Sequence, residues 1–257
     1  MDIKIIYEDS DLLVIDKPSG ITVNRSDTTK NEETVQDWAG KQFTIDHLSL
    51  AIDREGDFYN RGGIVHRLDK ETSGILLIAK NPASFLNLQN QFKERKVEKV
   101  YLALVHGEVK PKEGEINVPV GRLSFNRKRF GIVAGGREAV TKYKVLSIKY
   151  YVSDGKKEQL SLLELYPKTG RTHQIRVHLK YFGHPVFSDP LYGGRKTARK
   201  DRQIFPRLFL HASEISFLHP KTGKEVSFES DLPEDLKLFS ESIKDLSNFN
   251  VDKKLII

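Results

Sequence analysis

Residues 74–79 read Gly-Ile-Leu-Leu-Ile-Ala, a continuous aliphatic run with no polar side to turn toward water. Such a run predicts a buried strand, which needs other structure packed against it. Asn81-Pro82 follows at once and supplies an N-cap and a first helical residue. Phe85, Leu88 and Phe92 then recur at helical spacing on one face, predicting a helix to about Arg95. A buried strand running straight into an amphipathic helix makes this a mixed fold.

The rest of the chain is punctuated in a similar way. Short apolar runs at 3–7 and 12–15, split by Glu8-Asp-Ser-Asp11, predict a hairpin or strand pair. Asp16-Lys-Pro-Ser-Gly20 ends in a turn, because proline fixes φ and glycine frees it. Residues 26–62 are polar and poorly periodic, apart from a short helix predicted over 33–43 from Val35, Trp38 and Phe43. Strands are predicted over 100–106, 139–148 and 160–166, and a late hairpin joins 214–217 to 226–228 across Pro220-Lys-Thr-Gly223. After Thr169-Gly170, Ile175, Leu179 and Phe182 line one face of a helix that Gly183 stops. That helix sets Thr172 and Arg176 one turn apart on a different face. A terminal amphipathic helix is predicted over 233–246, with 247–257 as a C-terminal tail. The length of 257 residues suits one catalytic domain over residues 1–246.

The chain has no cysteine, which removes disulfides, thiolate metal sites and Cys nucleophiles. No apolar run is long enough to cross a bilayer, and no secretory signal is visible, so a cytoplasmic location is expected. No repeat of fixed period appears. The formal charge of +7 favours a polyanionic partner, and its distribution says more. Residues 122–144 sum to +6 and residues 195–207 to +5, whereas residues 225–257 carry eight acids against four bases. Positive charge gathered in the middle of the chain is what a phosphate-tracking surface requires.

The loop His66-Arg-Leu-Asp-Lys-Glu-Thr-Ser-Gly74 sets Arg67 and Asp69 between glycines and ahead of the aliphatic run. A carboxylate in that place is a candidate nucleophile, although a lone Arg-x-Asp more often caps a turn or forms a local pair. His173 and His178 lie five apart, off any shared helix face and with no third ligand, so neither a metal nor a cofactor is expected.

Four segments together resemble the ordered motifs of the RluA family of RNA pseudouridine synthases. They are Asp16-Lys-Pro-Ser-Gly20, His66 through Gly74, Lys99-Val-Tyr-Leu-Ala-Leu-Val105, and Lys168-Thr-Gly-Arg-Thr-His-Gln-Ile-Arg-Val-His-Leu179. The resemblance covers nearly the entire chain, since Gly121-Arg-Leu, Gly136 with Ala139 and Thr141, and Gly183-His-Pro185 followed by Asp189, Leu191 and Tyr192 also fit. It implies an α+β pseudouridine synthase fold, with a long, mostly antiparallel mixed sheet flanked by helices and loops and RNA held in a central basic cleft.

Carried over by that resemblance, Asp69 matches the essential aspartate, Tyr101 the active-site tyrosine, and Arg176 the arginine that pairs with the aspartate. Isomerising uridine breaks the bond from ribose C1′ to N1, turns the base over and joins C5 to C1′. Asp69 would either attack C1′ to give an ester or remove a ribose proton to give a glycal. A neighbouring cation would keep it ionised, since burial alone favours the neutral acid. Tyr101 would stack on the uracil, and Arg67 would help fill the space that an extruded nucleotide leaves. His66 and Thr72 are expected to brace the loop, and with Arg171, Thr172, His173 and Gln174 to border the RNA. The target base must leave its stack to reach Asp69, with phosphates gripped on either side by Arg122, Arg127, Lys128, Arg129, Arg195 and Arg202.

The expected partner is a structured RNA, ribosomal or transfer, with no membrane, no obligate protein partner and a monomeric enzyme. Many members of that family carry an S4-type module before the first motif; here the motif begins at Asp16, so the catalytic domain alone is expected. Asn24 stands where a histidine often follows that motif. Two other readings compete: a glycoside hydrolase with Asp69 and Glu164 as paired acids, and an RNA-binding module without catalysis.

Overall fold

The computed structural model describes residues 1–26, 29, 31–42, 56–124, 126, 129–153 and 156–245. In chain order these form β1 (Lys4–Glu8), β2 (Leu12–Lys17), α1 (Val35–Gln42), α2 (Asp57–Arg61), β3 (Ser73–Ala79), α3 (Pro82–Lys93), β4 (Glu98–His106), β5 (Glu113–Asn117), β6 (Val120–Arg122), β7 (Phe130–Ile132), β8 (Val140–Ser153), β9 (Lys156–Pro167), α4 (Gln174–Tyr181), α5 (Arg195–Ile204), β10 (Leu210–Leu218), β11 (Glu225–Glu229), α6 (Glu234–Ser242) and β12 (Lys244–Asp245). The backbone divides into two compact units with interleaved segments, the first holding 1–101, 167–172 and 210–232. The chain passes between them within β4, at the end of β9, just before α4, at the start of β10 and just before α6.

In the first unit the strand order is β1, β2, β3, β10, with β11 on β10. All of these pairings are antiparallel except β3 with β10, which makes the sheet mixed. The aliphatic run is its middle strand, and every residue of β3 is buried. Side chains alternate across a strand. Leu76 and Ile78 join Leu13 and Ile15 of β2 in one apolar cluster, covered by Val35, Trp38 and Ala39 of α1. Ile75, Leu77 and Ala79 join Leu12 and Val14 in another, covered by Phe85 and Leu88 of α3. Each of these large side chains contributes about 1.5–3 kcal/mol on burial, so the two-sided core fixes β3 and hence the loop that enters it. Asn81 caps α3 by accepting from the Ser84 amide at 2.9 Å, with Pro82 at its start.

The second unit holds 102–166, 173–209 and 233–257. There β8 lies between β9 and β12 and also pairs with β5, while β6 and β7 form a separate two-stranded ribbon. Helix α4 is buried over most of its length. Several elements differ from the sequence expectations, among them the short strands β5, β6 and β7, which the sequence analysis does not predict. The terminal helix ends at Ser242 and gives way to the short strand β12, which pairs with β8, so its span is shorter than 233–246. Helices α2 and α5 were not foreseen: α2 has five residues with only Phe58 buried, and α5 buries only Ala198 and Asp201. Neither presents an apolar stripe that periodicity could register. Phe43 and the tail over 247–257 lie outside the described residues.

Candidate active site

The loop from Gly63 to Gly74 is shaped by glycines at both ends. Gly63 has φ +74°, and a Cβ there would meet Ala79 O at 2.1 Å; Gly74 has φ +110°, and a Cβ there would meet Ala212 O at 2.1 Å. Only glycine fits either backbone. Between them Leu68 is buried in the α1-side cluster, while Arg67 is exposed and Asp69 half-exposed.

The first motif holds this loop from behind. Lys17 is completely buried, and its ammonium donates to Pro18 O, Ile21 O and Lys70 O at 2.8, 3.0 and 3.1 Å. The Gly20 amide also donates to Lys70 O, and Ser19 Oγ donates to Glu71 O at 2.7 Å. The two residues after Asp69 are therefore anchored through their carbonyls. Sequence reading treated Lys17 as part of a turn; a lysine beside Pro-Ser-Gly gives no sign that it will be buried.

His66 accepts a hydrogen bond from the Leu77 amide at Nε2, 3.0 Å, and stacks on Phe92 with centroids 4.8 Å apart. Burial, then the nearby Lys99 charge, pushes its pKa down to about 3. At neutral pH it is an uncharged acceptor bracing the loop against β3. The Thr72 amide closes the turn on Asp69 O at 3.1 Å, while its buried hydroxyl has no hydrogen-bond partner among the described residues. Tyr101 of β4 packs on the same apolar cluster as Leu68. Burial, then the charge of Asp69, raises the pKa of its phenol. The loop and β4 thus bring a carboxylate and a protonated tyrosine into electrostatic range of one another.

In the second unit Arg176 is nearly buried and forked onto Asp189, with Nε donating to Oδ2 and Nη2 to Oδ1, both at 2.8 Å. Asp189 also accepts from the Leu191 and Tyr192 amides, and the guanidinium lies 5.1 Å from the Tyr192 ring centroid. Sequence analysis gives Asp189 no role; the structure shows it forked onto Arg176. A bidentate pair of this kind fixes the guanidinium plane as well as its charge. His173 begins α4 with φ +57° and lies 2.9 Å from the Tyr192 hydroxyl through Nδ1. Gln174 donates to Val140 O and Thr141 Oγ1. His178 lies against Thr141 Oγ1 and Val118 O, and burial lowers its pKa. Among the described residues no cluster of His, Asp or Glu could hold a metal. Glu164 accepts from the Tyr166 hydroxyl.

Of the expected phosphate contacts, Arg122, Arg129 and Arg195 are exposed, with Arg122 stacked 5.2 Å from the Phe130 ring centroid. Arg202 is half-buried and donates to Ser188 O. Arg127 and Lys128 lie outside the described residues. Arg171 and Thr172 are half-exposed in the first unit.

A family model described as RNA pseudouridylate synthase matches residues 11–181, from β2 through α4. The chain belongs to the RNA pseudouridine synthase family. It is 37% identical over 244 residues to an uncharacterized RNA pseudouridine synthase, YlyB, of Bacillus subtilis, covering 95% of this chain and 74% of that one. It is 36% identical to the ribosomal large subunit pseudouridine synthase D of Nitrosomonas europaea, covering 98% of this chain and 69% of that one. Among solved structures, the human RNA pseudouridylate synthase domain containing 1 superposes with a TM-score of 0.68 at 30% identity, covering 90% of this chain and 84% of that one. RNA pseudouridine synthases are isomerases, and the RluA-type motifs, the mixed sheet and this membership agree on uridine isomerisation in RNA. No helix among the described residues is long and apolar enough to cross a membrane.

Proposed function

We propose that this enzyme converts uridine to pseudouridine in structured RNA with Asp69 as its catalytic carboxylate, acting on a target base everted from its stack. The observation that carries the reading is the loop itself. Lys17, Ser19 and Gly20 anchor the carbonyls of Lys70 and Glu71, fixing the backbone just after Asp69, and the charge of Asp69 acts on the Tyr101 phenol. Asp69 attacks C1′ or removes a ribose proton; uracil leaves through N1, turns over and bonds through C5. The net change is one proton moved from C5 to N1, so no cofactor is needed.

Tyr101 supplies a ring for the uracil, and its raised pKa keeps it a neutral donor at physiological pH. Arg176, already oriented by Asp189, is the cation matched by family motif to the catalytic aspartate. Arg122, Arg129 and Arg195 grip phosphates. Helix α5 supports that role: its first turn holds Arg195 and Lys196 and no acid, although cations are disfavoured at a helix N-terminus. An RNA partner would offset that cost.

Large-subunit ribosomal RNA is the favoured substrate, on the strength of relatives named for it, and the enzyme works in the cytoplasm as a monomer. Carbodiimide-dependent reverse-transcription stops, mapped in cells with and without this protein, identify the uridine; stops in transfer RNA alone replace the ribosomal assignment. Asp69→Asn, which keeps size and removes the nucleophile or base, is expected to bind the same RNA within a few-fold of wild type and to lose isomerisation by about three orders of magnitude or more. Wild-type turnover by that variant overturns the role of Asp69.

A further inference from the structure

Lys99 stands two residues before Tyr101 on β4, so both side chains leave the same face of the strand, roughly 7 Å apart along it. Tyr101 faces Asp69. Lys99 faces different company: its ammonium lies 6.0 Å from the Phe92 ring centroid, on the ring that also stacks His66, and the other charged group acting on it is Lys168. His66 is neutral. Among the described residues no carboxylate pairs with Lys99 or with Lys168. Most lysines stay exposed or find a carboxylate; here one is half-buried beside a second cation and a neutral ring. Burial, then the Lys168 charge, lowers its pKa to about 8. An anion reaching Lys99 would offset both the repulsion from Lys168 and the desolvation.

We propose that Lys99 and Lys168 form a binding site for the phosphodiester that flanks the target uridine, one step along β4 from the Asp69–Tyr101 end where the sugar and base react. The proposal rests on the reading of Asp69 and Tyr101 given above. It makes Lys99 a substrate-positioning residue with no part in bond making. The RNA recruits the protonated lysine, so affinity is complete below the pKa and falls as pH rises through it.

The test measures initial rates of pseudouridine formation on total RNA from cells lacking the protein, for wild type, Lys99→Gln, Lys99→Arg and Lys168→Gln. Lys99→Gln is expected to raise KM about tenfold with kcat within about twofold. Lys99→Arg is expected to keep the neutral-pH KM and to abolish the rise in KM that wild type shows as pH passes about 8, because a guanidinium does not titrate there. Lys168→Gln weakens binding and moves that rise to higher pH, since the repelling neighbour is gone. An unchanged KM in Lys99→Gln, a loss confined to kcat, or a Lys99→Arg pH profile that coincides with wild type each overturns the proposal. If Lys99→Gln fails to fold, as thermal melting reports, the Lys99→Arg and Lys168→Gln profiles decide. A wild-type enzyme that leaves every uridine unchanged defeats the underlying functional reading; an active wild type with unaffected lysine variants defeats this site alone.

Discussion

Gly74 carries more of the loop's geometry than any residue with a side chain. Its φ of +110° and the 2.1 Å approach that a Cβ would make to Ala212 O mean that alanine needs both a strained backbone and a shift of β10. Gly74→Ala is expected to destabilise the protein by about 3 kcal/mol or more, read from the midpoint of urea unfolding. An effect below about 1 kcal/mol would show that the strand gives way easily. Asp69 was legible as a candidate because its neighbours form a motif with chemical content. Lys17, Asp189 and Tyr192 lie in recognisable motifs, yet no local pattern assigns any of them a role. Burial is what gives Lys17 and Asp189 their importance, one caged by three carbonyls and the other forked onto Arg176, and burial is a property of their surroundings.

Among the elements, β3 and α3 follow directly from local sequence, since aliphatic continuity, an Asn-Pro start and helical spacing all act over short distances. Asn81 is the hinge of that step: its Oδ1 accepts from the Ser84 amide, and its Nδ2 donates to Asp11 Oδ1 at 2.9 Å. Asn81→Ala is expected to cost about 1–2 kcal/mol of unfolding free energy, with Asn81→Asp recovering part of it through the same cap; equal stability of the alanine variant would mean that Ser84 and Asp11 compensate. Helix α5 is the opposite case. With five basic residues in ten it has no apolar stripe, and it is held by the buried Asp201, which meets His106 Nε2 at 2.9 Å and the Ser188 amide at 3.2 Å. Its partners come from β4 and from the segment before it, so no window of local sequence contains the cause. The hairpin of β10 and β11 was legible because its turn and both strands are adjacent, whereas the parallel pairing of β10 with β3 joins residues far apart in the chain.

For the molecule as a whole, buried neutral histidine couples stability to pH. His66 takes no proton in the folded state until about pH 3, whereas the unfolded chain takes one near 6.5. Its contribution is therefore complete above about 6.5 and is lost as pH falls toward 3, and His178, also lowered by burial, acts with the same sign. Between neutral pH and about pH 4 the His66 share is expected to be about 2 kcal/mol after allowance for solvent. Across that range wild type is expected to lose about that much stability relative to His66→Gln as pH falls, because glutamine keeps an acceptor for the Leu77 amide and does not titrate. Parallel curves would place the acid sensitivity elsewhere. The sequence by itself determined the chemistry on offer: one carboxylate loop, a tyrosine on a strand, an arginine on a helix, a basic middle and no thiol. These are set by residue identity and short-range spacing. Tertiary structure alone decided that Asp189 forks onto Arg176, what anchors the Asp69 loop, how the strands order themselves and where the chain divides into units. Those depend on contacts between distant residues, whose energies come from burial and shape, and local sequence does not encode them.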